Sequence, residues 1–191
     1  MALKGLKNLH YAVITSENEE ETTYSEVKPF GPAMALNIQP SVNRSNLRAN
    51  DQVLFTDVSK GPSTVTVNTA YLEKQVEADV LGKKIHPNGF ISDNASDEPP
   101  YIAIGGQALN ARGGYDYFWI YRVKLAPADL NMETKQDTTA YQTPSHSGEA
   151  IPRLHDKEEK LRLWDQDDTI DEKVFQDWFK EVIDKNWIAE V

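Results

Sequence analysis

The stretch that most constrains the fold is YDYFWIYRVKL, at 115–125, where apolar and aromatic side chains occupy every second position. Successive side chains of a β-strand point to opposite faces of a sheet, so this alternation predicts a strand. The odd-numbered positions are all apolar or aromatic, which predicts one face buried along its whole length. The other face has charged residues towards its ends and Phe118 and Ile120 in its middle. The middle of this second face therefore also needs a cover, which the same chain or another copy could supply.

Similar alternation recurs along the chain and predicts a mainly β protein. Apolar faces are predicted at 9–15 (Leu9, Tyr11, Val13), 33–39 (Met34, Leu36, Ile38) and 63–69 (Val65, Val67). Further strands are expected at 101–109, in the Thr-rich stretch 132–143 and in the return SHSGEAI at 145–151, while NARGG at 110–114 is typical of a hairpin turn. Seven or more short strands separated by turns predict a β-sandwich or half-barrel.

One short helix is expected to flank this sheet, over 69–81. Its apolar residues recur every four positions, at Leu72, Val76 and Val80. Asn68 or Thr69 could cap its start, and Gly82 could end it.

A second, amphipathic helix is predicted near the C-terminus, over 169–187. Thr169 and Glu172 have the spacing of a capping box. The apolar stripe comprises Val174, Phe175, Trp178, Phe179, Val182 and Ile183. We expect this stripe to pack on the chain's own sheet, because that needs no partner, and packing on a neighbouring subunit is the alternative.

The connection at 40–62 is long for a link between two strands. It carries its own apolar residues, which are Val53, Leu54, Phe55 and Val58. Two interpretations follow: an arm that bridges to a neighbouring subunit, or a flap that covers the chain's own core.

Length and charge indicate one domain with a C-terminal extension. The 191 residues divide into a β-sandwich at 1–155 and an acidic segment with the amphipathic helix at 156–191. The formal net charge is −10, and 12 acidic against 6 basic residues follow position 155. An acidic chain without a basic stripe is poorly suited to grip phosphate backbones.

Motifs for chemistry are scarce, and we expect no catalytic, cofactor or metal site and no enzyme activity. The absence of cysteine excludes a disulfide scaffold and cysteine-based sites. The histidines lack metal-ligand spacing and are expected at the surface or on edge strands. ENEEE at 17–21 is expected to be a solvated loop tip, and DQDD at 165–168 to precede a helix start. We expect no signal peptide and no membrane span.

Several stretches resemble one known family, the major tail proteins of long-tailed, non-contractile phages (siphophages) of Gram-positive hosts. The resemblance is carried by GLKNLHYAVIT, EADVLGKKIHPNGFI, DEPPYIAIGGQALNARGGYDYFWIYRVKLA, METKQDTTAYQTPSHSGEAI and DQDDTIDEKVFQDWF. It is discontinuous but touches most of the chain. Gly106 is one departure, since the family pattern leads us to expect an aromatic residue there.

The resemblance implies a structural virion protein that is made in the host cytoplasm. It implies self-assembly into hexameric rings, which stack into a tail tube together with tape-measure, tail initiator and terminator proteins. DNA would pass through the lumen without specific binding. The alternative from another class is a carbohydrate-binding or adhesive β-sandwich, which would display exposed aromatic residues on a concave sheet.

Overall fold

An antiparallel sheet dominates the computed structural model, which describes residues 2–129, 132–134 and 141–187. The strands before the first helix are β1 (Leu3–Glu17), β2 (Thr22–Tyr24), β3 (Lys28–Pro29), β4 (Ala33–Gln39), β5 (Val42–Ala49), β6 (Gln52–Lys60) and β7 (Ser63–Thr69). The later elements are α1 (Lys74–Leu81), β8 (Lys84–Ile85), β9 (Ile91–Ser92), β10 (Ile102–Asn110), β11 (Tyr115–Leu125), β12 (Ser145–Ala150), β13 (Lys160–Trp164) and α2 (Lys173–Asp177). The predicted fold class, a mainly β, sandwich-like protein with a short helix, is confirmed.

The main sheet has the strand order β2–β1–β10–β11–β12–β7–β4, and β3 also pairs with β1. One edge of β11 pairs with β10. Its other edge is shared, because β13 pairs with 116–120 and β12 pairs with 123–125. The sheet therefore divides at β11, and its last strand, β4, returns to lie beside β1.

Inside this curved sheet lies the larger of two apolar clusters, which we call the inner core. It is covered on one side by α1. Its buried members are Leu9, Tyr11, Phe30, Val65, Val67, Val76, Val80, Leu81, Ile102, Ile104, Ile120, Val123, Leu125 and Ala150.

The second cluster, the outer core, lies on the opposite face of β10 and β11. The C-terminal segment covers it. Its buried members are Ala103, Trp119, Tyr121, Val174, Trp178 and Ile183. Both faces of β11 are thus covered by the chain itself.

The side chains of β11 change faces because the strand contains a β-bulge. β11 has one residue more than β10 between the pairs Ile102–Val123 and Ile104–Ile120. Tyr121 consequently belongs to the outer core, whereas Ile120 and Val123 both belong to the inner core. The prediction of a single buried face formed by the odd-numbered residues is wrong beyond Tyr121, because the extra residue shifts the alternation.

The helix α1 is shorter than predicted, because it begins at Lys74 rather than at position 69. Thr69 is the last residue of β7, so neither it nor Asn68 caps the helix, and Glu73 occupies the N-cap position. The predicted end is confirmed: Gly82 has φ 71°, in the left-handed region that favours glycine.

Asp79 fastens α1 to the sheet. The hydroxyl of Tyr11 and the ammonium of Lys28 both donate to Asp79 Oδ2, each at 2.9 Å. Burial alone would raise the pKa of Asp79, but hydrogen bonds from Lys28, Gln75 and Tyr11 outweigh it and hold the pKa below the ordinary value. The carboxylate is therefore charged and fixes the helix over the inner core.

The predicted C-terminal helix over 169–187 is wrong for most of its length, since only α2, Lys173–Asp177, is helical. Thr169 does not form a capping box with Glu172. Its backbone N–H and its hydroxyl both donate to Asp167 Oδ1 instead, at 3.1 and 2.6 Å.

Contacts with the sheet determine the path of the remaining C-terminal residues. The carbonyl of Ile183 accepts a hydrogen bond from the hydroxyl of Tyr121 at 3.1 Å. The N–H of Trp187 donates to the carbonyl of Asp184 at 3.2 Å, in a tight turn. Aromatic and β-branched residues are only moderate helix formers, so these tertiary contacts prevail over the helical spacing of the sequence.

The other strand predictions are confirmed only in part. The strands at 33–39, 63–69 and 115–125 have the predicted bounds, and 111–114 form the predicted turn between β10 and β11. β13 was not predicted, and the segment after position 155 thus contributes a strand to the main sheet. Residues 132–134 and 141–143 are irregular, and the rest of the predicted Thr-rich strand lies outside the described residues. The predicted return strand at 145–151 corresponds to β12, Ser145–Ala150.

Candidate assembly surfaces

The connection at 40–62 is a β-hairpin, not a loop. β5 and β6 form a separate two-stranded sheet, and every residue of both strands is exposed. Asn50 and Asp51 join them with φ angles of 52° and 59°. Positive φ at both central residues is the mark of a type I′ hairpin turn, which Asn and Asp tolerate well.

The four apolar residues predicted on this segment all lie on β6 and are exposed: Val53, Leu54, Phe55 and Val58. Phe55 is the most exposed, with 70% of its surface accessible. The hairpin therefore does not cover the core, and the flap interpretation is wrong. The reason is local, because β5 and β6 satisfy each other's backbone hydrogen bonds and project as a pair.

Sequence reasoning missed two further exposed apolar residues of the hairpin, Val42 and Leu47. Both lie on β5, between polar residues. Leu47 lies directly opposite Phe55, and an aromatic–aliphatic pair on one face forms a continuous apolar patch. The Asn50–Asp51 turn signal could have revealed the pairing and with it these residues.

The base of the hairpin is fixed to the main sheet through Glu159. The ammonium of Lys60 forms an ion pair with Glu159, and the hydroxyl of Ser63 donates to its Oε1 at 2.6 Å. Burial alone would raise the pKa of Glu159, but the hydrogen bonds from Lys60 and Ser63 outweigh it and lower the pKa. The charged carboxylate thus holds the end of β6 against the start of β7.

A second surface is the seam between β1 and β4, which lie side by side without pairing in the main sheet. A cleft of about 410 Å³ opens there. Its apolar lining comprises Leu3, Leu6, Leu36, Ile38, Phe118 and Ile120. Among the described strands β4 pairs only with β7, so its other edge offers free backbone groups.

β4 lacks the usual protection of an edge strand. Its sequence, AMALNIQ, has no proline and no charged residue, and Met34 is 58% exposed. Natural edge strands commonly carry proline or charged residues, which prevent pairing with another chain. The seam is therefore suited to contact with a further strand.

The predicted C-terminal packing residues are not part of a free surface. Val174, Trp178 and Ile183 are buried in the outer core, and Phe175, Phe179 and Val182 pack against it. The ring of Tyr117 on β11 lies 5.0 Å from that of Phe175 and 5.5 Å from that of Trp178. All six thus pack on the chain's own sheet.

A buried arginine supports this packing. The guanidinium of Arg153 lies 3.7 Å from the ring centre of Tyr121 and pairs with Asp156 and Glu158. Lys185 of the C-terminal segment also reaches Glu158, at 2.9 Å. This network joins β11 to the segments that precede and follow β13 in the sequence. The two carboxylates compensate the cost of burying the charge of Arg153.

The titratable residues that the structure describes do not gather into a metal site. Among the described residues, no three His, Asp or Glu side chains are grouped so that they could hold a metal ion. His146 is buried rather than at the surface, contrary to the prediction, and burial lowers its pKa. No helix in the described part of the chain is long and apolar enough to cross a membrane.

Comparison with known proteins found no match: no family model and no curated protein matches this chain.

Proposed function

We propose that the chain is a structural subunit that assembles with copies of itself into a tube, as the tail proteins it resembles do. The rings would be hexameric, the tube would belong to a virion, and DNA would leave through its lumen. The tape-measure, tail initiator and terminator proteins would be the other partners. The observation that carries the proposal is the freely projecting hairpin of β5 and β6.

Isolated two-stranded hairpins are marginally stable in water and usually need a further strand or a packing surface. Here all residues of both strands are exposed, including six large apolar ones. A stretch of eight strand residues reaches about 27 Å, which is enough to cross onto another subunit. A neighbouring copy would supply the surface that the hairpin lacks.

The seam between β1 and β4 supports the same proposal from the receiving side. It combines a mainly apolar cleft, which Asp116, Lys160 and Arg162 also line, with a free, uncharged strand edge. Subunits that pair at such edges build continuous sheets, and closing a ring of them removes every exposed edge.

The net charge of the chain supports a role as a conduit for DNA. A chain of net charge −10 repels phosphate groups, so passing DNA would not adhere to a surface made of it. The carbohydrate-binding alternative requires a cluster of exposed aromatic residues. The exposed aromatic residues among those described are Phe55, Tyr71, Phe90, Tyr141 and Trp164. Only Phe55 and Trp164 lie on strands, and those strands, β6 and β13, belong to different sheets, so we do not propose the alternative.

Electron microscopy and light scattering of concentrated protein, with and without the tail initiation complex, test the proposal. We expect rings or tubes from the intact chain. Deletion of 42–60, closed by a short Gly/Ser turn, should leave the monomer folded because loop closure depends only weakly on length. The deletion should abolish tubes. Intact protein that stays monomeric even with the initiation complex would refute the proposal.

A further inference from the structure

The two faces of the hairpin differ in charge. Directly opposed residues of an antiparallel pair share a face. The pairs Arg44–Val58 and Arg48–Val53 lie on one face, together with Val42–Lys60 at the base. This cationic face carries three basic residues, three valines and no acidic residue. The opposite face carries the Leu47–Phe55 patch and Asp57.

The pairing register of β5 and β6 places the basic residues and the valines on one face, and a bulge keeps them there. β6 has one residue more than β5 between the pairs Leu47–Phe55 and Arg48–Val53. Without that extra residue, Leu54 would lie opposite Arg48 and Val53 would point to the other face. The bulge thus keeps a valine beside each arginine along the cationic face.

Two of the three cations on this face are unpaired. Lys60 is held by Glu159, but Arg44 and Arg48 have no ion pair or side-chain hydrogen bond within the described part of the chain. The hairpin carries three basic and two acidic residues, a formal charge of +1. The whole chain has a formal charge of −10, so the residues outside the hairpin sum to −11. The free arginines therefore project from a positive arm on an otherwise negative protein.

We infer that the cationic face of the hairpin binds the acidic body of a second copy of this chain, with Arg44 and Arg48 pairing to its carboxylates. This inference rests on the proposed function and assigns the partner and the chemistry of the arm. Opposite charges on arm and body give each copy a surface complementary to its neighbour's. The valines exclude water beside the arginines, which strengthens such pairs.

Nucleic acid is the competing partner for an arginine-bearing strand pair. The cationic face offers two free arginines separated by valines, without aromatic residues for base stacking, on a chain of net charge −10. Non-specific grip on DNA depends on the number of phosphates neutralised, and two are few. Charge complementarity therefore favours the second copy.

The test compares two double charge reversals, Arg44→Glu with Arg48→Glu, and Lys84→Glu with Arg112→Glu. Both alter the net charge equally. Lys84 and Arg112 are also exposed side chains without an ion pair among the described residues, and neither lines the seam between β1 and β4. The critical concentration for assembly, measured by light scattering, should rise at least about tenfold for the hairpin variant, because the reversal replaces two attractive charge pairs with two repulsive ones. The control should assemble like the intact chain.

Salt supplies a second measurement. Between about 0.05 and about 0.5 M salt, screening weakens charge pairs, so the defect of the hairpin variant relative to the intact chain should shrink. A defect of constant size at all salt concentrations would show a packing role and overturn the inference. Equal defects in both variants would also overturn it.

Two further measurements, of monomer folding and of DNA binding, complete the experiment. The hairpin variant should keep the melting temperature and circular dichroism of the intact monomer. If it instead assembles normally but loses binding of a fluorescent DNA duplex, the partner is nucleic acid and the inference is wrong. Failure of the intact chain to assemble refutes the proposed function, whereas normal assembly of the hairpin variant refutes only this inference.

Discussion

Gly105 of β10 lies directly opposite Trp119 of β11, and the indole ring covers the space that a Cβ atom at position 105 would occupy. Such an atom would lie 2.5 Å from the ring carbons. Phe118 covers Gly106 in a similar way on the other face. The glycine pair thus accommodates two aromatic rings, one on each face of the sheet.

Substitution of Gly105 by alanine should therefore destabilise the monomer. Trp119 is fully buried between the sheet and the C-terminal segment, so its ring has no free space into which to shift. We expect a loss of about 1–3 kcal/mol in the free energy of unfolding, the usual cost of overpacking. Denaturant unfolding measures it. Gly5→Ala on β1 is the control, because a Cβ there meets no atom within 4 Å, and equal losses for both would contradict the argument.

Removal of the Trp178 side chain should release the C-terminal segment. Trp178 is fully buried and lies 5.5 Å from the ring of Tyr117, so Trp178→Ala leaves a large cavity in the outer core. We expect a loss of about 3–5 kcal/mol of monomer stability. Trp164→Ala is the comparison, because Trp164 is 42% exposed and its removal should cost clearly less than the removal of Trp178. Unchanged unfolding of the Trp178 variant would show that the segment contributes little to the monomer.

The sequence predicts the strands well where alternation and β-branched residues agree with burial. Strand 63–69 is an example, because Val65 and Val67 alternate with threonines and are fully buried. Strand 115–125 also has its predicted bounds. Its change of face at Tyr121 could not be predicted, because a bulge depends on the register with β10 rather than on either strand alone.

The C-terminal segment shows the opposite case. Apolar residues at intervals of four favour a helix, yet the same residues contact the sheet from a chain of short turns. The hydroxyl of Tyr121 and the face of β11 select that path. Periodicity identified which residues are buried but not the conformation that buries them.

For the candidate assembly surface, sequence reasoning found the apolar residues of β6 and missed the arginines of β5. Val53, Leu54 and Phe55 stand out as a hydrophobic run. Arg44 and Arg48 look like ordinary polar residues until the strand pairing aligns them with valines on one face. A pattern that arises from two paired strands cannot be read from one strand.

Acid should loosen the base of the hairpin through Glu159. Its pKa is lowered in the folded protein, so its stabilising contribution is fully present above the ordinary value of 4.5 and is lost as pH falls through the folded value. Glu159→Gln should therefore be less stable than the intact chain at neutral pH, and the difference should shrink below about pH 4.5. Urea unfolding of both proteins across this pH range measures the difference. A difference that is independent of pH would show that the charge of Glu159 is unimportant.

Assembled tubes should not retain DNA. The net charge of −10 per chain makes the repulsion of phosphates the dominant long-range effect. We expect no sedimentation of a labelled duplex with the tubes at moderate salt. Submicromolar binding that weakens steeply as salt rises would contradict this expectation, because that dependence is the mark of phosphate contacts.

The apolar patch of the hairpin should matter for assembly and not for folding. Leu54 and Phe55 are 54% and 70% exposed and belong to neither core, so replacing both with serine removes contacts only within the projecting hairpin. The free energy of unfolding should change by less than about 0.5 kcal/mol. Tube yield should fall to near zero, because exposed aromatic and aliphatic anchors commonly carry most of the binding energy of an interface.

Phe90→Ser provides the matched control. Phe90 is 68% exposed, close to the value for Phe55, but it lies in the turn between β8 and β9, away from the hairpin. The Phe90→Ser substitution should leave both the free energy of unfolding and the tube yield unchanged. Melting curves and electron microscopy of the same preparations separate the possible outcomes. Loss of tubes from the Phe90 variant alone would place the interface at β8–β9, and normal tubes from the Leu54 and Phe55 double variant would remove the hairpin patch from the assembly.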